Sequence, residues 1–264
     1  MAKVILVAEL DYPSTMVITN NNQLYVQTGR NIVHINNKHI EAFIDREYLI
    51  GTDGQDIYSV SDGKGKGKNR VISTKPNKES ITQDGLTSFL SEGVYIQVER
   101  DGTYFLYSYI LLRYVGDGKR ITVASWGEEV DDPPYRSVSG YLAGDYTVYT
   151  VDNGSLVRYD TFEYIAAIAV DTKGNLYVCE TSVDKDTLNI YRADSTGKYT
   201  RIDLTGSAII SISNMVVDNY GIIYISSEKE GKIYKIIPPD VKIQIFILRN
   251  DPINPKFKLF LTDT

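Results

Sequence analysis

Apolar and polar residues alternate in short runs along most of the chain, and polar turn residues separate these runs. The period of two residues, clear in Lys232-Ile-Tyr-Lys-Ile236, is that of a half-buried β-strand. Residues 168–178 and 215–225 align with each other, since each has an apolar run, an Asp-x-x-Gly turn and a second run centred on a tyrosine. No stretch of ten or more residues combines a helical period with capping residues, so the pattern predicts an all-β chain with almost no helix.

This unit of strand, turn and strand recurs about six times, with a spacing of roughly 40 residues that is typical of β-propellers. Its turns contain Asn, Asp or Gly, which tolerate positive φ or accept hydrogen bonds from their own backbone. The predicted turns lie at 20–22, 53–54, 101–102, 145, 171–174 and 218–221, and the tyrosines that follow them are Tyr25, Tyr58, Tyr107, Tyr149, Tyr177 and Tyr224. We predict a single domain over residues 1–264, a propeller of six four-stranded antiparallel blades, with seven blades as the alternative.

The ends of a propeller ring have to be joined, because an unjoined blade leaves exposed strand edges. Residues 3–10 form a predicted strand that has no hairpin partner nearby in the sequence. We predict that this strand completes the last blade and closes the ring. In the alternative, the run at 241–248 completes that blade. Outer strands of two other blades are predicted at 81–89 and 162–165.

The segments Ala169-Val-Asp-Thr-Lys-Gly-Asn-Leu-Tyr-Val178 and Val216-Val-Asp-Asn-Tyr-Gly-Ile-Ile-Tyr-Ile225 resemble the repeats of the NHL-repeat and SMP-30/gluconolactonase-like six-bladed propellers. The resemblance covers residues 165–237. For an enzyme of that group it implies a calcium ion at the mouth of the central channel, held by carboxylate and amide oxygens. Asn214 and one glutamate, Glu47 or Glu92, match the implied ligands, whereas Ala166 stands where a ligand is required. The composition, rich in Tyr and Ile, also resembles that of crenarchaeal virus proteins.

Composition and charge narrow the range of partners and compartments. The 264 residues carry a formal net charge of −6, so the chain lacks the cationic excess of a general nucleic-acid-binding protein. Cys179 is the single cysteine, which we interpret as a packing residue. No segment has the apolar length of a signal peptide or a membrane span. We expect a soluble protein, either cytoplasmic or incorporated into a particle, and the scarcity of labile residues indicates a thermophilic source.

Two sets of residues are candidates for binding. Residues 62–70 form a basic, glycine-rich loop without the strand-to-helix context of a phosphate-binding loop. We predict an electrostatic contact by Lys64, Lys66, Lys68 and Arg70. Tyr135 and Tyr141 are the predicted anchors, because tyrosine is large, stiff and amphipathic and is favoured in recognition surfaces. A solvated hairpin loop and ordinary packing between blades are the alternative interpretations of these residues.

The chain has none of the sequence motifs of nucleophilic or zinc-dependent catalysis. We therefore interpret it as a noncatalytic interaction or structural module of a larger assembly, such as a virion or a surface appendage used in host attachment. It would bind a protein or a glycan through its loop faces, without a cofactor, and form oligomers where copies bind each other. The alternatives are a calcium-dependent sugar-lactone or ester hydrolase, with Asn214 as a metal ligand, and a glycan-binding, lectin-like propeller.

Overall fold

The computed structural model describes residues 1–36, 39–61, 70–87, 95–107, 109–116, 119–127, 130–182, 188–204, 209 and 211–241. Within these ranges the chain forms 24 β-strands and one four-residue helix. The strands make six antiparallel blades of four strands each around a central channel, which confirms the predicted propeller. One edge strand of each blade lines the channel, and the blade extends outward from that strand.

The chain begins with β1, and blades 1 to 3 follow in order. Their strands are β1 (Lys3–Glu9); β2 (Pro13–Ile18), β3 (Leu24–Thr28), β4 (Asn31–Asn36) and β5 (His39–Ile44) in blade 1; β6 (Glu47–Thr52), β7 (Ile57–Ser61), β8 (Val71–Thr74) and β9 (Ser80–Thr82) in blade 2, followed by α1 (Asp84–Thr87); and β10 (Tyr95–Glu99), β11 (Gly102–Tyr107), β12 (Ile110–Gly116) and β13 (Lys119–Ser125) in blade 3.

Blades 4 to 6 repeat this plan, except that the last blade takes its outermost strand from the N-terminus. Their strands are β14 (Arg136–Val138), β15 (Tyr141–Ala143), β16 (Thr147–Asp152) and β17 (Ser155–Thr161) in blade 4; β18 (Ile165–Val170), β19 (Leu176–Thr181), β20 (Leu188–Ala193) and β21 (Tyr199–Ile202) in blade 5; and β22 (Asn214–Val217), β23 (Ile223–Ser227) and β24 (Lys232–Ile237) with β1 in blade 6.

The N-terminal strand closes the ring, as the sequence predicts. Strand β1 pairs antiparallel with β24, from Lys3 opposite Ile237 to Glu9 opposite Lys232. The register shifts between Leu6 and Ala8, which places a β-bulge in the middle of the closing strand. The first and last described strands of the chain therefore share one sheet. The competing run at 241–248 lies outside the described residues, apart from Val241.

The repeated aspartate turn forms because its side chain replaces backbone hydrogen bonds that a tight turn leaves unmade. In blade 5, Asp171 Oδ1 accepts hydrogen bonds from the backbone N–H groups of Lys173 and Asn175, each at 2.9 Å. Asp171 Oδ2 accepts one from the Tyr177 hydroxyl at 3.3 Å. Tyr177 is 1% exposed, so the motif fixes the turn and buries its tyrosine together.

The hydrophobic core lies between neighbouring blades rather than within one blade. Between blades 5 and 6, for example, the side chains of Ala167, Tyr177 and Cys179 pack with those of Met215 and Ile225. Cys179 is fully buried, in agreement with its interpretation as a packing residue, and burial raises the pKa of its thiol. The two blade faces that meet at such a seam are therefore both apolar. β-Branched side chains pack well on such faces, which explains their frequency in the strands.

The strand order predicted from the sequence is wrong for blade 4. Its inner hairpin turns at Ser139 and Gly140, so Asp145 lies in the next turn, between β15 and β16. Tyr149 consequently lies on the third strand instead of the second, and residues 155–161 form the outermost strand. The outer strand predicted at 162–165 is wrong, because Ile165 begins the inner strand of blade 5. Strands β14 and β15 have only three residues each, too few for their alternation to reveal the hairpin.

The outer strand predicted at 81–89 is also much shorter than expected. Strand β9 ends at Thr82, and α1 begins at Asp84. Leu86 of this helical turn is 5% exposed and packs with Val71 and Ile96, so the turn covers the seam between blades 2 and 3. A single buried leucine on a four-residue turn is too short a signal for a helical period.

Candidate functional site: the axial channel and the closure seam

The central channel contains a cavity of about 350 Å³. It is lined by the inner strands of all six blades, in segments 15–18, 49–52, 97–100, 135–139, 166–170 and 213–217. The innermost strand of a sheet has one unpaired edge, so its backbone N–H and C=O groups need partners at the axis. Side chains of neighbouring blades supply several of those partners.

Asn214, the best-matched metal ligand of the sequence prediction, is one of these side chains. Its Oδ1 atom accepts a hydrogen bond from the backbone N–H of Met16 at 3.2 Å, which joins blade 6 to blade 1. The hydroxyl of Ser226 reinforces the same junction by donating to the Ser14 carbonyl at 2.6 Å. The carbonyl oxygen of the Asn214 side chain is thus used to hold two blades together.

Similar bonds join the other blades around the axis. Gln27 of blade 1 accepts from the Leu49 N–H of blade 2 at 2.7 Å and donates to the Glu47 carbonyl at 3.1 Å. Glu99 of blade 3, a 7% exposed residue, accepts from the Ser139 N–H of blade 4. The polar side chains near the axis are therefore largely structural.

The residues present do not fit the calcium site that the resemblance implies. Glu47 is absent from the channel lining, and its carboxylate accepts a hydrogen bond from the Ser59 hydroxyl. Burial raises the pKa of Glu47, and the bond from Ser59 lowers it. Glu92 lies outside the described residues. In the part of the chain that the structure describes, no group of three or more His, Cys, Asp or Glu side chains is placed to hold a metal ion.

Two arginines line the channel. Arg100 donates to the Ile18 carbonyl at 3.4 Å, and burial lowers the pKa of its guanidinium while nearby Asp171 raises it. Arg136 donates to the Ile165 carbonyl at 2.7 Å, from blade 4 to blade 5. Arg100 follows the end of its inner strand and Arg136 begins one, so the two cations do not form a single clamp.

Tyr135 lies beside Arg136 at the end of the channel where the inner strands begin. Its ring lies 4.5 Å from the Arg136 guanidinium carbon, and its hydroxyl donates to Asp145 Oδ1 at 2.5 Å. Burial and the bond to Asp145 raise the pKa of the Tyr135 phenol. The side chain is still 45% exposed, so Tyr135 offers a flat ring held in a fixed position.

The other predicted binding residues are distributed over different blades. Tyr141 packs edge-to-face on Tyr159, with ring centroids 5.4 Å apart, in the apolar seam between blades 4 and 5. Arg70 is exposed and precedes β8 in blade 2, where its backbone N–H bonds the Ser61 hydroxyl at 3.1 Å. Lys64, Lys66 and Lys68 lie outside the described residues. The structure therefore does not bring Arg70 together with the tyrosines of blade 4.

A second cavity, of about 500 Å³, was not predicted from the sequence. It lies where blade 6 meets blade 1, and we call it the seam cavity. Its polar lining comprises Asn21, Asn22, Gln23, His34, Asn36, Tyr224 and Lys235. Residues 21–36 are far in the sequence from Tyr224 and Lys235, and the packing of blade 6 against blade 1 brings them together. A sequence signal existed only in the local cluster of amides at 20–23.

The fold and the channel define this chain as a six-bladed β-propeller. No known protein family and no curated protein matches its sequence. Solved structures match its fold, including a protein of unknown function from Bacteroides thetaiotaomicron, with a TM-score of 0.64 and 14% identity over 90% of this chain and 76% of that one. A gluconolactonase from Xanthomonas campestris matches with a TM-score of 0.59 and 13% identity over 90% of both chains.

A third match is the extracellular domain assigned to a one-component system of B. thetaiotaomicron, with a TM-score of 0.53 and 12% identity. It covers 94% of this chain, which spans 41% of that longer chain. These likenesses show the fold alone, and they give no support to the resemblance to crenarchaeal virus proteins, to host attachment or to a thermophilic source. Among the described residues, no helix has the length and apolar character needed to cross a membrane.

Proposed function

We propose that this protein is a noncatalytic binding module. The observation that carries the proposal is the use of the polar side chains at the axis. Asn214 and Glu99 each accept a backbone hydrogen bond from the neighbouring blade, and Arg136 donates one. A hydrolase of this fold would need such side chains to be available to a metal or a substrate, whereas here they hold the ring together.

The binding face that we propose is the end of the channel where Tyr135 lies. A large aromatic ring that is already fixed by Arg136 and Asp145 loses little conformational freedom when a partner covers it. Arg70 and the lysines of residues 62–70 would add an electrostatic contact on a different blade. Such an arrangement suits a protein partner in a larger assembly, and it is the use that we propose for this module.

The first experiment separates binding from catalysis. Calcium binding is measured by isothermal titration calorimetry, and lactone and ester hydrolysis are measured with and without EDTA. We expect neither calcium binding in the micromolar range nor EDTA-sensitive turnover. Turnover that depends on calcium would overturn the proposal and favour the hydrolase.

The second experiment locates the binding face. Partner proteins are captured from the native source with the wild-type chain, and the recovered complex is quantified by mass spectrometry against Tyr135→Ala. Val115→Ala is the control, since Val115 is 52% exposed and lies near the end of β12, at the opposite end of the blades from Tyr135. We expect a complex that Tyr135→Ala weakens and Val115→Ala does not. Equal recovery with both variants would exclude Tyr135 as an anchor.

A further inference from the structure

The seam cavity has walls from two blades that are fixed relative to each other. Asn219, in the inner turn of blade 6, donates its backbone N–H to Asn22 Oδ1 at 3.1 Å and its side-chain amide to the Asn20 carbonyl at 2.5 Å. These bonds join the inner turns of blades 6 and 1 beside the cavity. On the outer side, the cavity is lined by Ile5, Leu6 and Val7 at the β-bulge of the closing strand. Bulges are frequent next to functional sites.

The amide side chains of this cavity keep hydrogen-bonding capacity for a ligand. Asn22 uses its oxygen for Asn219, and Gln23 uses its oxygen to accept from the Tyr25 hydroxyl at 3.3 Å. Each of these bonds leaves the amide NH₂ group, which carries two donors, for other partners. Asn36 is exposed at the end of β4 and adds a further amide to the lining.

The rings of His34 and Tyr224 and the ammonium group of Lys235 also line the cavity. The His34 ring stacks on Tyr25, with centroids 4.8 Å apart, and its side chain is 14% exposed. Burial lowers the pKa of His34, although nearby Glu41 raises it, so the imidazole is neutral at neutral pH; its Nδ1 atom lies 3.9 Å from a Glu41 carboxylate oxygen. The Lys235 ammonium lies 5.6 Å from the centre of the Tyr224 ring.

This chemistry favours a ligand with several neighbouring hydroxyl groups. A hydroxyl both donates and accepts, as the amides and the neutral imidazole do. An apolar ligand would cover the half-buried amides of Asn22 and Gln23 without giving their donors partners, which is unfavourable. A strongly anionic ligand is disfavoured because Lys235, the one lysine or arginine among the described lining residues, already lies close enough to Asp218 to lower the pKa of that carboxyl.

We propose that the seam cavity is a carbohydrate-binding site that holds one or two sugar residues of a glycan. Its volume of about 500 Å³ lies within the range of roughly 300–1,000 Å³ found for small-molecule sites. The site is distinct from the channel and from Tyr135. A negative result for either the sugar site or the protein-binding face would therefore leave the other proposal unaffected.

The test uses the full chain on a glycan microarray, followed by calorimetric titration of the best mono- or disaccharide. Two variants remove groups of the cavity: Lys235→Met, which keeps an apolar stem against Tyr224, and Asn36→Leu at the exposed rim. The matched control is Lys232→Met, on the same strand as Lys235 but outside the cavity lining. Circular dichroism verifies that all three variants are folded.

We expect sugar binding by the wild-type chain and by Lys232→Met, and at least tenfold weaker binding by Lys235→Met and Asn36→Leu. Asn36→Leu is informative even if Lys235→Met disturbs Asp218, because Asn36 lies on a different blade, at the end of β4 in blade 1. Absence of any glycan binding would overturn the proposal and leave a cavity filled by water. Binding that survives both cavity variants would overturn it as well, because the sugar would then bind elsewhere.

Discussion

Asp218 allows a direct test of the turn that defines the repeat. Its side chain is 2% exposed, and Oδ1 accepts hydrogen bonds from the backbone N–H groups of Tyr220 and Ile222, both at 2.9 Å. Asp218→Ala leaves both donors without this acceptor, and each hydrogen bond to a charged group contributes about 1.5–3 kcal/mol. Relief from burying a carboxylate opposes part of that loss. We expect the free energy of unfolding to fall by about 2–4 kcal/mol.

Asp53 provides the matched control, because its carboxylate accepts the same kind of bonds at the surface. Oδ1 of Asp53 accepts from the N–H groups of Gln55 and Asp56, both at 2.9 Å, but the side chain is exposed. Water can replace the acceptor there, so Asp53→Ala should cost about 1 kcal/mol or less. Urea denaturation followed by circular dichroism and by the fluorescence of Trp126 measures both losses. Equal losses of unfolding free energy in the two variants would refute the argument that burial of the aspartate determines the loss.

Asp218→Asn separates the acceptor from the charge. The amide oxygen of Asn can accept the same two backbone bonds, so the turn should survive. Burial raises the folded-state pKa of Asp218 above its usual value, so the folded chain holds this proton more tightly than the unfolded chain does. As the pH rises from about 4 through that raised pKa, this residue lowers the stability of the wild type but not that of the variant. A loss as large as that of Asp218→Ala would contradict this reasoning.

Two further predictions concern closure and the seam between blades 2 and 3. Deletion of residues 1–10 removes the strand paired with β24, which exposes the edge of β24 and the apolar cluster beneath it. We expect the loss of most of the roughly 5–15 kcal/mol that stabilises a typical folded domain, measured as a large fall in melting temperature. An unchanged melting temperature would exclude closure by β1. Gly51 has φ +147°, and Gly51→Ala would place a Cβ atom against the Val98 carbonyl oxygen. In urea denaturation it should cost about 2 kcal/mol more than Gly174→Ala, because Gly174, at φ +82°, has open space around it. Equal costs would contradict this contact.

The features that were predictable from the sequence are those made by residues close together in the chain. Asp171 and Tyr177 are six positions apart, and one turn fixes both the hairpin and the buried hydroxyl. Closure by the N-terminal strand was predictable for a different reason, since a ring with an open blade would leave β24 unpaired. Both are local or topological requirements that any sequence of this fold has to meet.

Blade 4 was mispredicted because its turn depends on a residue outside the repeat. Asp145 precedes Tyr149 by four positions and so imitates the aspartate turn of the other blades. In the structure, however, Asp132 from the preceding loop accepts the backbone N–H groups of Asp145, Tyr146 and Thr147 at 2.6–2.8 Å. The acceptor of these hydrogen bonds therefore lies 13 to 15 positions earlier in the chain than the donors. A local sequence motif cannot predict a contact over that separation.

The two cavities differ in how much of their polar chemistry the fold itself requires. At the axis, backbone groups of the inner strands need partners, and Asn214 Oδ1 accepts one such hydrogen bond, from Met16 of the neighbouring blade. At the closure seam, β1 pairs with β24, and Asn219 links the inner turns of blades 6 and 1. The amides of Gln23 and Asn36 thus have no comparable structural duty in the ring. The sugar site that we propose could therefore use these amides without breaking a hydrogen bond that joins two blades.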